Sequence, residues 1–346
     1  MILLREAKDT DLDALVRLAS VPGMFNLTSD RELLKERIKK SKDSFAHKIK
    51  NIADTKYTFV AEDLATGKIL ATAMIAGQHG TPESPHFYFS IGNEKRFSEA
   101  INTGFIHGTL TLGHDTDGPS EIGALVVDPD ARGRDEKIGR QISFVRFLYL
   151  GLHKNRFRPK VIAELLPPLN KRGLSPLWEA IGRRFTNMDY WEADQLCAKN
   201  KDFIFDLFPT GKIYSTFLPA EARNAIGRVG KETEPVVHML KKVGFEYKNQ
   251  VDPFDGGPHL WADVSQIIPI QKMTKLVWKS NPGKNAETVA GLLTQENSKG
   301  SGFQAVHIEA QIDDKDLSIE DTDLRNRIEK NLNLRSGDSV VFMPYY

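Results

Sequence analysis

One stretch, residues 121–152, constrains the fold of this chain more than any other. It reads EIGALVVDPDARGRDEKIGRQISFVRFLYLGL, an apolar run that stops at an Asp-Pro-Asp turn and is followed by apolar residues spaced three or four apart. The run predicts a buried strand over residues 123–127, and the spacing predicts a helix from about residue 136 to 152, capped by Asp135. A strand joined to a helix by a short turn is typical of folds that mix both elements.

The rest of the first 265 residues extends this pattern. Residues 2–5 and 160–166 predict strands, residues 57–77 predict a hairpin around Thr66-Gly67, and residues 86–92 and 109–115 predict two further strands. Helices are expected after Asp9 or Thr10, over residues 29–49, and after Ser175-Pro176, where proline suits the first turn. The order β-α-α-β-β-β-β-α-β-α predicts an α/β (α+β) fold with a mainly antiparallel, mixed sheet flanked by helices.

The pattern of predicted elements changes after about residue 265. Short strand-like runs alternate with loops such as SNPGKN and ENSKGSG, and one helix is expected near residues 321–332. The chain is therefore predicted to divide into residues 1–265 and a smaller β-rich C-terminal module, residues 266–346.

Composition excludes several classes of protein. The 346 residues include 47 Lys and Arg against 46 Asp and Glu, a net charge of +1 that argues against bulk binding of nucleic acid or anionic membrane. No apolar run is long enough to span a bilayer, and the N-terminus is charged by its fifth residue, so a cytoplasmic protein without a signal peptide is expected. The single Cys197 permits neither a disulfide framework nor a CxxC metal motif, and no metal is expected.

The turn between the strand and the helix carries four positive charges within nine residues, on Arg132, Arg134, Lys137 and Arg140. The first N–H groups of a helix lack internal partners and lie at the positive end of its dipole, so such a turn can bind a pyrophosphate. Gly133 would let the backbone approach a ligand. The turn matches neither the Walker nor the GxGxxG pattern. A solvated basic loop explains the same residues equally well.

The turn and the order of elements resemble the GCN5-related N-acetyltransferase (GNAT) fold, in which the turn after the fourth strand holds the pyrophosphate of acyl-CoA. Long ordered blocks resemble one branch of it, the bacterial arginine N-succinyltransferases. These blocks include DTDGPSEIGALVVDPDAR, VIAELLPPLNKRGLSPLWEAIGRRF, AIGRVGKETEPVVHMLKKVGFEY and VDPFDGGPHLWADV. The resemblance covers nearly the whole chain.

The resemblance implies that succinyl-CoA donates its succinyl group to the α-amino group of L-arginine. Leu125 matches the family's succinyl-CoA contact, and the strand edge there would meet the acyl and pantetheine part. The residues expected to bind succinyl-CoA are Leu125, Val126, Val127, Arg132, Gly133, Arg134, Lys137, Ile138, Gly139 and Arg140.

Two departures from the family pattern bear on catalysis. The family's phosphate turn resembles R-x-x-G-x-G, but this chain has Lys137 at the first glycine and keeps only Gly139 of the pair. The family's proton-donor histidine is replaced by Gly230. The remaining candidates are Glu121, which equally suits a surface carboxylate, and His238, for which apolar neighbours favour a structural role.

Recognition of the acceptor requires carboxylates for its guanidinium. Asp252 and Asp255 flank a glycine-rich loop and Glu164 ends a strand, although turn chemistry alone explains Asp-Gly-Gly-Pro as well. Arg172 is a candidate cation for the succinyl carboxylate. Cys197 has no His-Asp support in the sequence and is expected to be buried rather than nucleophilic.

Two functions follow. The first is an arginine N-succinyltransferase of arginine catabolism, with L-arginine and succinyl-CoA as substrates. The alternative is a catalytically weak or non-catalytic acyl-CoA-binding subunit of a hetero-oligomer, or an acyltransferase for another amine such as ornithine. A homo- or hetero-oligomer is expected in either case.

Overall fold

The computed structural model describes residues 1–21, 27–197, 201–281, 283, 286–296 and 302–345, apart from the side chain of Asp202. Its strands are β1 (Ile2–Glu6), β2 (Lys56–Asp63), β3 (Lys68–Ala76), β4 (His86–Ser98), β5 (Thr103–Asp115), β6 (Ser120–Val127), β7 (Lys160–Glu164), β8 (Ile213–Tyr214), β9 (Glu246–Val251), β10 (Pro258–Asp263), β11 (Thr274–Trp278), β12 (Glu287–Gln295), β13 (Gln304–Asp313), β14 (Asp316–Ser318) and β15 (Ser339–Pro344).

The helices are α1 (Leu12–Ala19), α2 (Arg31–Phe45), α3 (Ile138–Leu152), α4 (Pro176–Ala180), α5 (Gly182–Thr186), α6 (Tyr190–Cys197), α7 (Asp202–Leu207), α8 (Ala220–Ala225), α9 (Glu234–Lys242), α10 (Ile268–Gln271) and α11 (Thr322–Leu332). The chain forms two compact units. The first unit contains residues 1–77, 121–159 and 263–346, and the second contains residues 78–120 and 160–262.

The first unit is built on a sheet with the strand order β12-β15-β11-β14-β13-β1-β2-β3-β6. Strand β12 also pairs with β13, so the five C-terminal strands close into a ring. The pairings are antiparallel except for β11 with β14. Closure leaves these strands without a free edge, which suits their content of buried aliphatic residues.

Helices α1, α2 and α3 belong to the first unit and bury its apolar face. The stripe predicted for α3 is confirmed, because Ile142, Val145 and Tyr149 are almost fully buried. Tyr149 packs edge-on against Phe45 of α2, with ring centroids 5.0 Å apart, and against Phe59 of β2 at 5.5 Å. These contacts hold α2 and α3 against β2, which β3 separates from β6.

The second unit contains the strand order β7-β10-β9-β4-β5-β8. Strands β4 and β5 form a long antiparallel hairpin, in which His86 pairs with Asp115 at the open end. Helices α4, α6, α7 and α8 contribute to a core around Trp178, whose ring stacks on Phe254 at 4.7 Å. Ser175 caps α4 by accepting the Trp178 N–H at 3.0 Å, which confirms the helix start expected at Ser175-Pro176.

The predicted α/β fold class, with mainly antiparallel pairing, is confirmed. Strand β12 was missed, and α2 ends at Phe45 rather than near residue 49. Residues 263–346 group with the N-terminal strands, whereas the sequence predicted a boundary at residue 265 and a separate C-terminal module. Among the described residues, every helix is too short or too polar to serve as a membrane span.

Candidate active site

Strand β6 carries a bulge in its pairing with β3. Ala124 and Leu125 together face Ala73, so β6 has one residue more than its partner at this point. Ala124 has φ +47°, a left-handed conformation that costs roughly 1 kcal/mol for a residue with a Cβ. A bulge leaves one residue outside the hydrogen-bonded ladder. One of these two residues is therefore left out of the ladder between β3 and β6.

Asp128 is the first residue of the turn after β6, and its side chain holds the turn in place. Its Oδ1 accepts the Asp130 N–H at 3.1 Å, and its Oδ2 lies 3.2 Å from Lys68 Nζ and also pairs with Arg17. Burial alone would raise the pKa of Asp128, but hydrogen bonds from Arg17, the Asp130 backbone and Lys68 outweigh it and lower the pKa. An ionised carboxylate thus holds the turn in place.

Helix α3 begins at Ile138, two residues later than predicted, and the cap position is held by Lys137. The prediction that Asp135 caps this helix is therefore wrong. Lys137 has φ +50°, which is the conformation that glycine adopts most easily, and its side chain makes no capping bond. The amides of Ile138 and Gly139 belong to the first turn, where the helix supplies no acceptor. They are the donors that a phosphate oxygen would satisfy.

The basic side chains of the turn are not equivalent. Arg134 Nη2 lies 2.9 Å from Glu136 Oε1, and Arg134 Nη1 lies 3.8 Å from Asp63 Oδ2, so its charge is largely offset. Arg140 lies over the ring of Tyr345, with 4.2 Å between its Cζ and the ring centroid. This cation–π contact directs the guanidinium toward the end of the chain.

Arg132 and Lys137 are the exposed cations of the turn. Arg132 Nε donates to the Val127 carbonyl oxygen at 3.3 Å, so its stem stays close to the end of β6. Gly133 lies between the two with φ +74°, and a Cβ there would meet nothing within 4 Å. Glycine is needed at this point for its conformation and not for space. Arg132 and Lys137 are therefore the cations of the turn that a ligand near the start of α3 could reach from solvent.

Glu121 lies on β6 opposite Ala76 and is half-buried. Its neighbouring cation is Arg37 of α2. Burial lowers the pKa of Arg37, and the charge of Glu121 partly offsets that effect. Nη1 of Arg37 is buried and has no hydrogen-bond partner among the described residues. Arg37 and Ala124 line the same cavity between α1, α2 and the sheet, so a buried guanidinium lies close to the bulge.

The loop between β9 and β10 contains the two predicted aspartates. Asp252 Oδ1 accepts the N–H groups of Phe254 at 2.7 Å and Asp255 at 3.1 Å, and Asp255 Oδ1 accepts that of Gly257 at 2.7 Å. A Cβ at Gly257 would lie 1.9 Å from the Leu165 carbonyl oxygen, so only glycine fits. Turn chemistry therefore explains part of this loop, as the sequence indicated. It also brings the two carboxylates together.

Burial and mutual repulsion change the acidity of these carboxylates. Burial, and then the charge of Glu164, raises the pKa of Asp252 to about 7. Burial, and then the charge of Asp252, raises the pKa of Asp255 well above its usual value. For Glu164, burial acts in the same direction, but the charge and hydrogen bond of His79 outweigh it and hold its pKa well below the ordinary range. The three predicted acidic residues are therefore one interacting group.

The other predicted site residues of the second unit lie apart from this group. Arg172 is exposed, in the turn before α4. His238 is also exposed, and the apolar environment expected for it is wrong, because Leu240 carries the buried face of α9. Gly230 precedes α9 with ordinary backbone angles. Burial raises the pKa of Cys197 to about 12, so its thiol is not activated as a nucleophile.

Four residues near these sites were not singled out from the sequence. They are Arg37, and the histidines His79, His86 and His259, whose Nε2 atoms lie 3.2, 3.2 and 3.7 Å from Glu164 Oε1. Arg37 had a detectable signal, since it stands between Leu34 and Ile38 on the apolar stripe of α2. The histidines had none, because His79 and His86 are far along the chain from Glu164 and from His259.

Comparison with known proteins gives consistent results. The profile of the family described as "Arginine N-succinyltransferase beta subunit" matches residues 2–269. The arginine N-succinyltransferases of Escherichia fergusonii and Citrobacter koseri are each 33% identical over 300 residues, covering 86% of this chain and 86% of theirs. The structure of arginine/ornithine succinyltransferase subunit AI from Pseudomonas aeruginosa matches with a TM-score of 0.82 and 27% identity, covering 99% of this chain and 98% of that one.

Proposed function

The chain belongs to the arginine N-succinyltransferase family, and we propose that it transfers the succinyl group of succinyl-CoA to the α-amino group of L-arginine. The observation that carries this proposal is the start of α3. Two first-turn amides, at Ile138 and Gly139, follow a turn whose exposed cations are Arg132 and Lys137. This arrangement suits the pyrophosphate of a CoA ester.

The reaction requires the neutral amine to attack the thioester carbonyl carbon. A C–N bond forms, the C–S bond breaks, CoA leaves as a thiolate, and the nitrogen loses one proton. In the tetrahedral intermediate the carbonyl oxygen carries a negative charge. A backbone N–H that points at this oxygen stabilises it by about 3–4 kcal/mol. We assign this donor to the bulged part of β6 around Leu125 and Val126, where one residue lies outside the ladder.

Glu121 is our candidate for the group that receives the proton. Its carboxylate belongs to the same strand as the bulge, and it interacts electrostatically with Arg37, which lines the cavity beside Ala124. A positioned base contributes about 10²- to 10⁴-fold to such a transfer. His238 is a weaker candidate, since it is exposed on α9 and no polar partner among the described residues orients it toward a substrate.

Arg37 is a better candidate than Arg172 for recognition of the succinyl carboxylate. It is the buried guanidinium beside Ala124, and its Nη1 lacks a hydrogen-bond partner among the described residues. An unpaired buried donor of a charged group is costly, and a carboxylate would satisfy it with a charge-assisted bond. The exposed Arg172 would lose more side-chain entropy on ordering and would gain less from a solvated ion pair.

Asp252 and Asp255 are our candidates for recognition of the acceptor guanidinium. Oδ1 of each carboxylate is fixed by backbone N–H groups of the loop, so the side chains are already ordered before binding. Burial first, and then the like charge of a neighbouring carboxylate, raises the pKa of each. A bound guanidinium would remove that repulsion, since it pairs with two carboxylates through its planar set of donors.

Release of free thiol from succinyl-CoA tests the proposal. Arginine, ornithine and other amines are compared as acceptors, because one relative is named for both arginine and ornithine. Thiol release that depends on arginine supports the proposal. An absence of release with every amine, in a protein that still binds succinyl-CoA, would refute it.

That second outcome defines the alternative function, a catalytically weak acyl-CoA-binding subunit of a hetero-oligomer. One observation favours it, namely the glycine at position 230 where the family has its proton-donor histidine. A cytoplasmic location and an oligomeric assembly are also part of the proposal. The mass of the purified protein in solution, alone and after co-expression with candidate partners, tests the assembly.

A further inference from the structure

Four segments of the second unit converge on the carboxylate of Glu164. His79 precedes β4, His86 is the first residue of β4, Glu164 ends β7, and His259 lies in β10. The Nε2 atoms of His79 and His86 both lie 3.2 Å from Glu164 Oε1, and that of His259 lies 3.7 Å away. The rings of His79 and His86 are 4.6 Å apart, and those of His86 and His259 are 5.1 Å apart.

Hydrogen bonding alone does not account for this convergence. A carboxylate oxygen has two lone pairs, whereas three imidazole nitrogens approach the same oxygen. His86 is 1% exposed; its Nδ1 is buried with no hydrogen-bond partner in the described part of the chain, and its Nε2 shares the Glu164 oxygen with the other two rings. Leaving a buried polar group unsatisfied costs roughly 1–3 kcal/mol per group. A cation that takes the Nε2 lone pairs would remove the competition of several rings for one carboxylate oxygen.

The spacing of the donors is that of a metal site. Zn²⁺ binds imidazole nitrogen and carboxylate oxygen at about 2.0–2.2 Å, so neighbouring donors of a tetrahedral site are roughly 3.3–3.6 Å apart. The two 3.2 Å separations are close to this value. Donor atoms of His79, His86 and Glu164 all lie within 4.8 Å of one another. A single ion can therefore contact all three after small side-chain movements.

The backbone holds these donors in place. The N–H of His79 donates to the Pro119 carbonyl oxygen at 2.6 Å. A Cβ at Gly80 would lie 2.9 Å from His86 Cβ, and Gly80 has φ +98°, so the link between the two histidines depends on a glycine. Ligands that are fixed before binding lose less entropy when the ion arrives.

We propose that His79, His86 and Glu164 bind a divalent transition-metal ion of the zinc class, with two imidazole nitrogens and one carboxylate oxygen as ligands. Three protein ligands leave a coordination position open, as in zinc sites that accept a further ligand. His259 lies beside this position and forms a second group with Glu164 and Asp252, whose donor atoms are within 4.8 Å of one another. Imidazole selects zinc, cobalt, nickel or iron over magnesium and calcium.

The proposal changes one expectation from the sequence, which was that the chain binds no metal. It also removes Glu164 from the acceptor-binding residues and leaves Asp252 and Asp255 for the guanidinium. It does not rest on acyl transfer, because it uses only the positions of four side chains. Loss of metal binding and loss of transferase activity are therefore separate results.

Metal binding is measured on the purified full-length protein after treatment with a chelator. Zn²⁺ is titrated against a chromophoric competitor, and Co²⁺ is added to report the ligand geometry through its visible absorption. One equivalent of each should bind, and the Co²⁺ spectrum should show low coordination. His79→Ala should weaken the affinity for Zn²⁺ by about 10- to 100-fold or more. Losses of that size are seen when a residue that only supports a metal ligand is removed.

Glu164→Gln gives a second variant that keeps the size of the side chain. Glu164→Gln should weaken the affinity for Zn²⁺ to a similar extent. Circular dichroism shows whether the variant has folded. His107→Ala, which removes a half-buried histidine of the same β4–β5 hairpin, is the matched control and should bind Zn²⁺ as the wild-type protein does. The proposal is overturned if the unchanged protein binds no stoichiometric Zn²⁺ or Co²⁺. It is also overturned if His79→Ala and Glu164→Gln bind both ions with unaltered affinity.

Discussion

Gly230 donates its backbone N–H to the carbonyl oxygen of Leu166 at 3.1 Å. This bond ties the segment before α9 to the residues that follow β7, at the position that the sequence resemblance assigns to the family's proton donor. Gly230 has φ −66°, which every residue adopts easily. A Cβ there would lie 3.3 Å from the Pro167 carbonyl oxygen, so a side chain requires a shift of only a few tenths of an ångström.

The first prediction follows from this geometry. Gly230→His should raise kcat for succinyl transfer to arginine by about 10-fold or more, because a positioned acid–base group contributes about 10²- to 10⁴-fold. The pH profile of kcat should gain the titration of an imidazole. Thiol release under saturating substrates measures both. Gly230→Ala, which adds the Cβ without the ring, should keep the original rate, and an equal rate in a folded Gly230→His protein would contradict the prediction.

The second prediction concerns the charges of the turn. Lys137→Ala should weaken succinyl-CoA binding by about fivefold at low salt, equivalent to about 1 kcal/mol for one exposed charge. Arg134→Ala should cost less, because Glu136 and Asp63 already offset its charge. Isothermal titration at several salt concentrations measures the losses, which should shrink as salt rises.

A matched variant acts in the opposite direction. Glu136→Gln frees Arg134 from its carboxylate and should tighten succinyl-CoA binding at low salt. If the three variants bind succinyl-CoA equally at every salt concentration, the turn is a solvated loop and the pyrophosphate lies elsewhere.

The turn also shows which features can be predicted from sequence. Strand β6 and helix α3 were predicted because their signals are local, an apolar run and a 3.6-residue spacing. The exact start of α3 was not, since Lys137 adopts a left-handed conformation that sequence preferences assign to glycine. The bulge at Ala124 left no signal either, because alanine has no preference for positive φ.

Long-range features explain the remaining errors. Strand β12 was missed because Gly291 interrupts its apolar run, yet the structure needs glycine there, since a Cβ would lie 2.4 Å from the Met343 carbonyl oxygen. The convergence of His79, His86 and His259 on Glu164 depends on which strands become neighbours. No spacing along the chain encodes that choice.

The third prediction concerns selection of the acyl group. Arg37→Met should lower kcat/KM for succinyl-CoA by about 10- to 100-fold, since a charge-assisted bond to the succinyl carboxylate is worth roughly 1.5–3 kcal/mol. For acetyl-CoA, which has no terminal carboxylate, the same substitution should change kcat/KM much less. Thiol release with each donor gives the ratio. Arg172→Met is the control. If it lowers kcat/KM for succinyl-CoA more than Arg37→Met does, Arg172 binds the succinyl carboxylate.

The fourth prediction concerns stability and pH. Burial, then the charges of His47 and Arg156, lowers the pKa of His153 from 6.5 to about 4. Between these values the unfolded chain binds more protons than the folded one, so stability is fully present above pH 6.5 and falls as the pH drops toward 4. The loss should reach roughly 2 kcal/mol after allowance for partial exposure.

Urea unfolding between pH 4 and 7.5 measures this loss. His153→Gln should remove most of the slope. Some slope should remain, because burial, then the charge of Arg156, also lowers the pKa of His47. His238→Gln, at an exposed histidine, should unfold with the same pH dependence as the unchanged protein. If His153→Gln leaves the pH dependence of the unfolding free energy unaltered, groups other than His153 cause the loss of stability.

The fifth prediction concerns the acceptor. Asp255→Asn should raise KM for arginine by about 10- to 100-fold, the value of a charged hydrogen bond of roughly 1.5–3 kcal/mol, and leave KM for succinyl-CoA unchanged. Asparagine retains an oxygen that can accept the Gly257 N–H, so the loop keeps the 2.7 Å bond seen for Asp255.

Citrulline, which has the shape of arginine without its charge, separates recognition of charge from loss of packing. It should be a poor acceptor for the unchanged protein and no poorer for Asp255→Asn. If the substitution impairs both acceptors equally, Asp255 supports the loop and another group binds the guanidinium.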